Sequence, residues 1–168
     1  MVAALASGKT NELSLEEMVA TYGKAILRYC HLLLRDYHEA QDVVQTTFLK
    51  VFMGRSRIKG AVQPWLYKTA YNNCIDILRK RKKLSFTEDE NYEPSYQMED
   101  GMSEDIKIAL GVLPPDDRAL VISRVMDEMD FAELSQIYNA SAATLRKRYE
   151  RAKKKLANAL RELEGRYE

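Results

Sequence analysis

A segment of 22 residues near the middle of the chain, residues 84–105, limits which folds the sequence can adopt. It carries eight acidic residues and no basic residue, shows no helical period, and contains Pro94 and Gly101. Charge repulsion together with turn-forming residues is typical of a solvated connector rather than of a packed element. The sequence therefore predicts two small modules, residues 10–83 and 106–165, joined by an acidic flexible linker.

Both modules have the composition and the residue spacing of helical proteins. Only 7 glycines and 4 prolines occur among the 168 residues, which is too few for the many tight turns of a barrel or a sandwich. Apolar residues instead recur at the spacing of three and four residues that marks one face of a helix. The predicted helices cover about residues 14–34, 38–53, 64–83, 113–126, 131–137 and 142–160. The predicted fold class is therefore all-α.

The composition and the motif content argue against several classes of protein. No stretch approaches the roughly 20 apolar residues that span a bilayer, so no membrane insertion is predicted. Cys30 and Cys74 belong to no C-x-x-C motif, which predicts neither a zinc site nor a disulfide framework and favours a cytoplasmic location. His31 and His38 have no placed acid, serine or cysteine partner, and no Walker motif occurs. The sequence therefore predicts no catalytic residue, no metal site and no cofactor.

The net charge of +1 conceals an uneven distribution of charge along the chain. Residues 1–83 carry +7, the linker carries −8, and residues 106–168 carry +2. Five consecutive bases, Arg79 to Lys83, end the third predicted helix, which is more than the helix dipole needs and indicates a phosphate-binding surface. The acidic linker is either a solvated spacer or a strand that occupies a basic channel in a partner or covers the basic faces of the chain itself.

A mostly polar stripe runs beside the apolar face of the second predicted helix. Its members, spaced as i, i+3, i+4 and i+7, are Asp42, Gln45, Thr46 and Leu49. Such a stripe is either a solvated face or a docking face, on which carboxylate and amide groups meet the basic side chains of another helix. The residue pattern by itself leaves both interpretations open.

The third predicted helix begins at Pro64, which suits the first turn of a helix because its missing N–H would be unpaired there. The polar side of this helix bears Lys68, Asn72, Asp76, Arg79 and Lys83. Together with the nearby tyrosines, this side offers phosphate contacts, amide groups for base edges, and rings for unpaired bases to stack on. Trp65 itself is expected to lie in the core rather than to serve as a stacking platform.

The second module has the pattern of a helix-turn-helix. Asp130 is the predicted N-cap of a short helix, Asn139 the turn residue with a positive φ, and Ser141 the N-cap of the long helix that follows. The long helix directs Arg146, Lys147, Glu150, Arg151 and Lys154 outward. Arginine pairs with guanine edges in the major groove, so the pattern favours a reader of duplex DNA over a helical hairpin with a merely solvated basic face.

Three stretches together resemble an extracytoplasmic-function (group 4) sigma factor of the sigma-70 family, the smallest class of bacterial promoter-specificity subunits. Residues 39–52 are similar to region 2.2, residues 65–81 to regions 2.3 and 2.4, and residues 113–118 with 131–156 to region 4. The resemblance implies a region 2 helical bundle and a region 4 helix-turn-helix. It also implies that the linker threads into the active-site cleft and RNA exit channel of RNA polymerase.

The resemblance implies a role for each candidate face. The residues implied to dock on the clamp coiled coil of the largest polymerase subunit are Asp42, Gln45 and Thr46, with Thr46 standing where the family usually has Glu. The residues implied to contact the −10 element are Asn72, which lines a pocket for a flipped base, and Asp76, Arg79 and Arg81. The residues implied to read the −35 element are Arg146, Lys147, Glu150 and Arg151.

The function implied by the resemblance is that of an alternative sigma factor without enzymatic activity of its own. Its implied partners are core RNA polymerase, through the clamp and through the flap of the second-largest subunit, promoter DNA and an anti-sigma factor. A role in a stress response is also implied. The competing interpretation is a helix-turn-helix transcriptional regulator that binds duplex DNA without acting as a polymerase subunit.

Overall fold

The computed structural model describes residues 13–84 and 101–166, and the two stretches form separate helical units. All regular elements of these described residues are helices, which confirms the predicted all-α class. The first unit contains α1 (Leu15–Leu34), α2 (Tyr37–Met53), a 3₁₀ turn at Arg55–Arg57 and α3 (Gln63–Leu84). The second unit contains α4 (Glu104–Val112), α5 (Pro115–Val125), α6 (Phe131–Tyr138) and α7 (Ala142–Gly165). The predicted flexibility of the linker concerns residues 85–100, which lie outside the described residues.

Local capping chemistry sets the boundary between the first two helices. At the start of α1, Ser14 Oγ accepts from the backbone N–H of Glu17 at 3.1 Å, and the Glu17 carboxylate accepts from the Ser14 N–H at 2.8 Å. The helix ends at Leu34, and the C-cap residue Arg35 has a left-handed φ of 58°. Asp36 then caps α2 by accepting from the N–H of Glu39 at 3.0 Å. The chain thus turns from α1 into α2 within two residues.

The core of the first unit lies between α1, α2 and α3, which pack against one another. The rings of Tyr29 and Tyr67 meet edge to face near its centre, with centroids 5.0 Å apart and an interplanar angle of 72°. Cys30 and Cys74 are both buried and free. A hydrogen bond with Cys74, together with burial, raises the pKa of the Cys30 thiol well above its usual range.

The second unit begins earlier than the sequence predicts. Ser103 Oγ accepts from the N–H of Ile106 at 3.4 Å, so α4 starts at Glu104, inside the predicted linker. Glu104 and Asp105 occupy the first turn of α4, where acidic side chains favour the helix dipole. The last two acids of the predicted linker therefore belong to a packed helix.

Buried contacts hold α4 against the rest of the second unit. Arg118 in α5 is 8% exposed, and its Nε and Nη2 donate to the carbonyl oxygens of Leu110 and Leu113 at 3.0 and 3.1 Å. These bonds tie α5 to the last turn of α4 and to Leu113, the residue that follows it. Ala109 packs with the distal half of α7, in a cluster formed by Ala109, Leu156, Ala159, Leu160 and Leu163. This cluster explains why α7 continues five residues beyond its predicted end at residue 160.

Candidate nucleic-acid interface

The helix-turn-helix of the second unit is built by the predicted caps. Asp130 Oδ1 accepts from the N–H of Glu133 at 2.8 Å, and Ser141 Oγ accepts from the N–H of Thr144 at 3.1 Å. Between these caps, Asn139 has a φ of 49° and ends α6 in the left-handed conformation. A short helix, a tight turn and a long helix therefore follow one another as the sequence predicts.

A hydroxyl cluster fixes the end of α6 to α5. Ser123 Oγ donates to the carbonyl oxygen of Ala119 at 2.7 Å and lies 2.8 Å from the hydroxyl oxygen of Tyr138. The Tyr138 hydroxyl also reaches the Ala119 carbonyl oxygen at 3.0 Å. Because Tyr138 directly precedes the turn, this cluster sets where the turn begins.

The outer face of α7 brings together the four residues predicted to read the −35 element. Leu145 and Ala152 are buried on the opposite side, with 0% and 1% of their surface exposed. All four predicted residues are exposed, and they share one side of the helix: Arg146, Lys147, Glu150 and Arg151. The side chain of Lys153 pairs with the Glu150 carboxylate at 3.3 Å. The face therefore carries both hydrogen-bond donors and an acceptor.

An ion pair anchors α7 to α5, and no local sequence pattern predicts it. The Nη2 of Arg148 lies 2.9 Å from Asp116 Oδ2 and 3.3 Å from Asp117 Oδ1. Arg148 is one of the seven bases of residues 142–155, and it faces α5 rather than the exposed side. The side chains of Arg148 and Asp117 are 25% and 20% exposed, so their pair is better shielded from solvent than an ordinary surface ion pair.

The exposed face of α3 contains three of the four residues predicted to contact the −10 element. Asn72, Asp76 and Arg79 are all exposed, and Arg79 Nη1 lies 3.9 Å from Asp76 Oδ1. Trp65 lies on this same face, because seven residues make nearly two full turns between it and Asn72. Its side chain is 42% exposed, and the Lys68 ammonium lies 5.9 Å from its ring centroid.

The expectation that Trp65 lies in the core is wrong. The core-facing side of α3 is occupied by Leu66, Ala70 and Cys74, which recur every four residues and are completely buried. Trp65 directly precedes this row and is turned about 100° away from it. The ring therefore belongs to the exposed face of α3.

Arg81 does not join the exposed face of α3. Nine residues separate it from Asn72, which places it about 180° around the helix axis. Its Nη1 donates to the carbonyl oxygen of Leu34 at 2.7 Å, and its Nη2 pairs with the Glu39 carboxylate. The assignment of Arg81 to the DNA face therefore conflicts with its position in the structure, where it ties α3 to α1 and α2.

The stripe on α2 is exposed along its whole length. Asp42, Gln45 and Thr46 are all exposed, and the same face continues with Leu49 and Met53, at 51% and 81% exposure. The opposite side of α2 is packed into the core through Ala40, Val43, Thr47, Phe48 and Val51. The stripe predicted from the sequence includes Leu49. It does not include Met53, which lies four residues further along on the same face.

The described residues contain neither a membrane-spanning helix nor a metal-binding cluster of side chains. No helix in residues 13–84 or 101–166 is long and apolar enough to cross a membrane. The same residues contain no group of three or more His, Cys, Asp or Glu side chains placed to hold a metal ion.

Comparisons with known proteins match both units. The family model for Sigma-70 region 2 matches residues 18–84, and the model for Sigma-70, region 4 matches residues 103–156. The ECF RNA polymerase sigma factor SigW of Bacillus subtilis is 25% identical in an alignment 174 positions long. This alignment covers 92% of this chain and 93% of SigW. The ECF RNA polymerase sigma factor SigE of Mycolicibacterium smegmatis is 26% identical over 159 residues, which cover 88% of this chain and 62% of SigE.

Solved structures share the fold. The sigma factor RpoE in complex with the anti-sigma factor NepR from Bartonella quintana matches with a TM-score of 0.74 at 21% identity, covering 87% of this chain and 96% of that chain. CnrH in complex with the cytosolic domain of CnrY matches with a TM-score of 0.68 at 21% identity, covering 95% and 94% of the two chains. With both region models matched in chain order, the chain belongs to the sigma-70 family of RNA polymerase sigma factors, in its extracytoplasmic-function group.

Proposed function

We propose that this sigma factor binds core RNA polymerase and directs initiation at promoters by using its two units on different DNA elements. One observation carries the proposal: the same chain has an exposed basic face on α7 and an exposed face on α3 that contains both Trp65 and Asn72. The first face is suited to duplex DNA and the second to unpaired bases. Core polymerase performs the chemistry, and the chain itself acts in the cytoplasm as a non-catalytic subunit.

The α7 face is proposed to read the −35 element in the major groove. The guanidinium groups of Arg146 and Arg151 can each pair with the two acceptors of a guanine edge, and Glu150 can accept from the amino group of cytosine. Lys147 is a point charge suited to phosphate. The ion pairs of Arg148 with α5 support this role, because they fix the helix that carries the four side chains.

The α3 face is proposed to capture bases of the −10 element. The exposed ring of Trp65 offers a stacking surface, and the amide of Asn72 can both donate to and accept from a base edge. Stacking and hydrogen bonds of this kind offset the few kcal/mol needed to unpair and unstack a base. Asp76 and Arg79 continue the same face, whereas Arg81 is left out because it is engaged inside the unit.

The α2 stripe is proposed to dock on a helical element of core polymerase, the clamp coiled coil of its largest subunit. Asp42, Gln45 and Thr46 provide polar contacts for basic partner side chains. Leu49 and Met53 add exposed apolar surface at the end of the same stripe. A mixed face of this kind fits a protein interface better than a purely solvated surface.

An anti-sigma factor and the flap of the second-largest polymerase subunit are proposed as further partners. The two solved relatives named above were each determined with a second protein, NepR in one case and CnrY in the other. The similarity of fold supports an analogous partner for this chain. Regulated release from such a partner would suit a role in a stress response.

Transcription reconstituted from core polymerase, the full-length chain and a promoter library tests the proposed function. We expect the chain to enrich promoters with a shared −35 and −10 pair, and to bind promoters well only together with core polymerase. A chain that selected duplex sites without polymerase, and did not associate with polymerase, would instead be an ordinary helix-turn-helix regulator.

A variant of α3 separates the two DNA steps. Asn72→Ala should reduce promoter opening, measured by permanganate reactivity of the −10 thymines, and should leave −35 preference unchanged. Lys50→Ala, in an exposed position of α2 outside the stripe, is the matched control and should leave both unchanged. Equal loss of opening and of −35 preference in Asn72→Ala would contradict the assignment of α3 to the −10 element.

A further inference from the structure

An aromatic pair lies where the start of α6 meets the middle of α7. The ring of Phe131, the first residue of α6, meets the ring of Tyr149 edge to face, with centroids 5.9 Å apart and an interplanar angle of 64°. Both side chains are half-buried. The pair therefore borders the exposed basic face of α7 rather than lying beneath it.

Basic side chains contact both rings of this pair. The Cζ atoms of Arg124 and Arg146 lie 5.0 and 5.1 Å from the Phe131 centroid, and the Lys153 ammonium lies 5.5 Å from the Tyr149 centroid. All three distances fall within the range of about 6 Å in which a cation is attracted to the face of a ring. Arg146 thus has a defined resting position although it is exposed.

We propose that Phe131 is a positioning residue, which holds the guanidinium of Arg146 ready to read a base of the −35 element. This inference rests on the proposed function of the α7 face. A free arginine side chain must lose much rotamer freedom when it binds, and prior ordering reduces that loss. The contact with the ring face uses none of the N–H donors of Arg146, so these stay available for paired hydrogen bonds to guanine.

Arg124 is the second cation on the Phe131 ring. Its Nη1 donates to the carbonyl oxygen of Met129 at 3.0 Å, which fixes one cation on the Phe131 ring to the backbone. The Phe131 ring thus contacts one cation that is tied to the backbone and one, Arg146, that lies on the exposed face of α7.

The test compares −35 preferences of holoenzymes assembled from core polymerase and the full-length chain. Arg146→Ala first identifies the −35 position at which base discrimination depends on Arg146. Phe131→Leu keeps an apolar side chain without a ring, and we expect it to reduce discrimination at that same position by about two- to fivefold, the strength of an exposed cation–ring contact. Phe131→Tyr retains the ring and should restore the wild-type preference.

A double variant distinguishes positioning from a general structural role. In the Arg146→Ala background, Phe131→Leu should cause no further loss of discrimination at this position. Equal losses at all −35 positions, or an unchanged preference in Phe131→Leu while Arg146→Ala alters it, would overturn the inference and leave the proposed function intact. An unchanged preference in Arg146→Ala would overturn both the role of α7 in reading this base and the inference.

A measurement on the unsubstituted chain tests the inference even if Phe131→Leu does not fold. The side-chain NMR signal of Arg146, assigned by its loss in Arg146→Lys, should be shifted upfield by the ring current of Phe131. A signal at the position of a freely solvated arginine would overturn the inference.

Discussion

The guanidinium of Arg81, near the end of α3, donates from Nη1 to the backbone carbonyl oxygen of Leu34, the last residue of α1, at 2.7 Å. Its Nη2 pairs with Glu39 in the first turn of α2. One side chain thus joins three helices at the point where α1 turns into α2. Arg81 is therefore engaged within the unit, although its neighbours in the sequence form a basic run.

The first prediction follows from this arrangement. Arg81→Ala should lower the free energy of unfolding of the first unit by about 1–2 kcal/mol, because a charge-assisted bond to a carbonyl and a partly shielded ion pair are lost. Urea denaturation followed by the fluorescence of Trp65, the single tryptophan of the chain, measures the change.

Arg79→Ala is the matched control for this prediction. Arg79 lies in the same helix with a side chain that is 75% exposed, so its loss should change stability by less than about 0.5 kcal/mol. In holoenzyme, Arg79→Ala should weaken promoter binding more than Arg81→Ala does at a temperature where both are folded. A larger loss of promoter binding in Arg81→Ala than in Arg79→Ala would show that Arg81 belongs to the DNA face.

The elements that the sequence predicts correctly depend on chemistry within a few residues. The caps at Asp130 and Ser141 each need only a side-chain oxygen and a backbone N–H three residues ahead. The left-handed turn at Asn139 is equally local, because Asn tolerates that conformation. Such features can be recognised without knowing how the helices pack.

The features that the sequence does not predict depend on the packing of distant helices. Arg81 and Arg148 sit in basic runs, and their true partners are separated from them by more than 30 positions along the chain. The exposure of Trp65 likewise follows from which row of α3 faces α1 and α2. The start of α4 at Glu104 had a local signal in Ser103, which the acidic composition of the segment concealed.

The second prediction concerns the anchor of the −35-reading helix. Arg148→Ala should lower the thermal midpoint of the second unit, consistent with a loss of about 0.5–1 kcal/mol for a partly shielded ion pair. It should also weaken binding at the −35 element, because α7 is held less firmly on α5. Circular dichroism follows the unfolding, and the fluorescence of Trp65 in the same sample should remain unchanged because it reports on the first unit.

Lys147→Ala separates the anchor from the DNA contact. Lys147 is exposed on α7 next to Arg148, and its removal should leave the thermal midpoint unchanged. If Lys147 contacts a phosphate, its loss should reduce the salt dependence of promoter binding by about one charge. A drop in the thermal midpoint equal to that of Arg148→Ala would contradict this division of roles.

The third prediction concerns a buried hydroxyl in the first unit. Thr47 is 0% exposed, and its Oγ1 makes no hydrogen bond with any residue that the structure describes. Thr47→Val removes this polar atom at nearly constant shape and should raise the free energy of unfolding by about 1 kcal/mol. Thr46→Val, at the exposed neighbouring position, should leave stability nearly unchanged in the same urea titration. A loss of stability in Thr47→Val would show that the hydroxyl is satisfied.

The fourth prediction concerns the pH dependence of the helix-turn-helix. Burial of Glu133, followed by the charge of Asp130 and a hydrogen bond with it, raises the pKa of the Glu133 carboxyl above its ordinary value of 4.5. A raised folded-state pKa means that Glu133 favours folding when protonated, and that this contribution is lost as the pH rises through the folded-state pKa. Glu133→Gln keeps a neutral hydrogen-bonding group and should therefore raise the thermal midpoint of the second unit at pH 7.

The pH series and a matched variant test this sign. The gain in Glu133→Gln should shrink as the pH is lowered and should vanish below pH 4.5, where the wild-type carboxyl is protonated in both states. Glu104→Gln removes an exposed first-turn carboxylate from α4 and should give no gain at pH 7, because that carboxylate favours the helix dipole. Circular dichroism melts at each pH measure both variants, and a gain for Glu133→Gln that stayed constant down to pH 3 would show that the charge of Glu133 is not its cause.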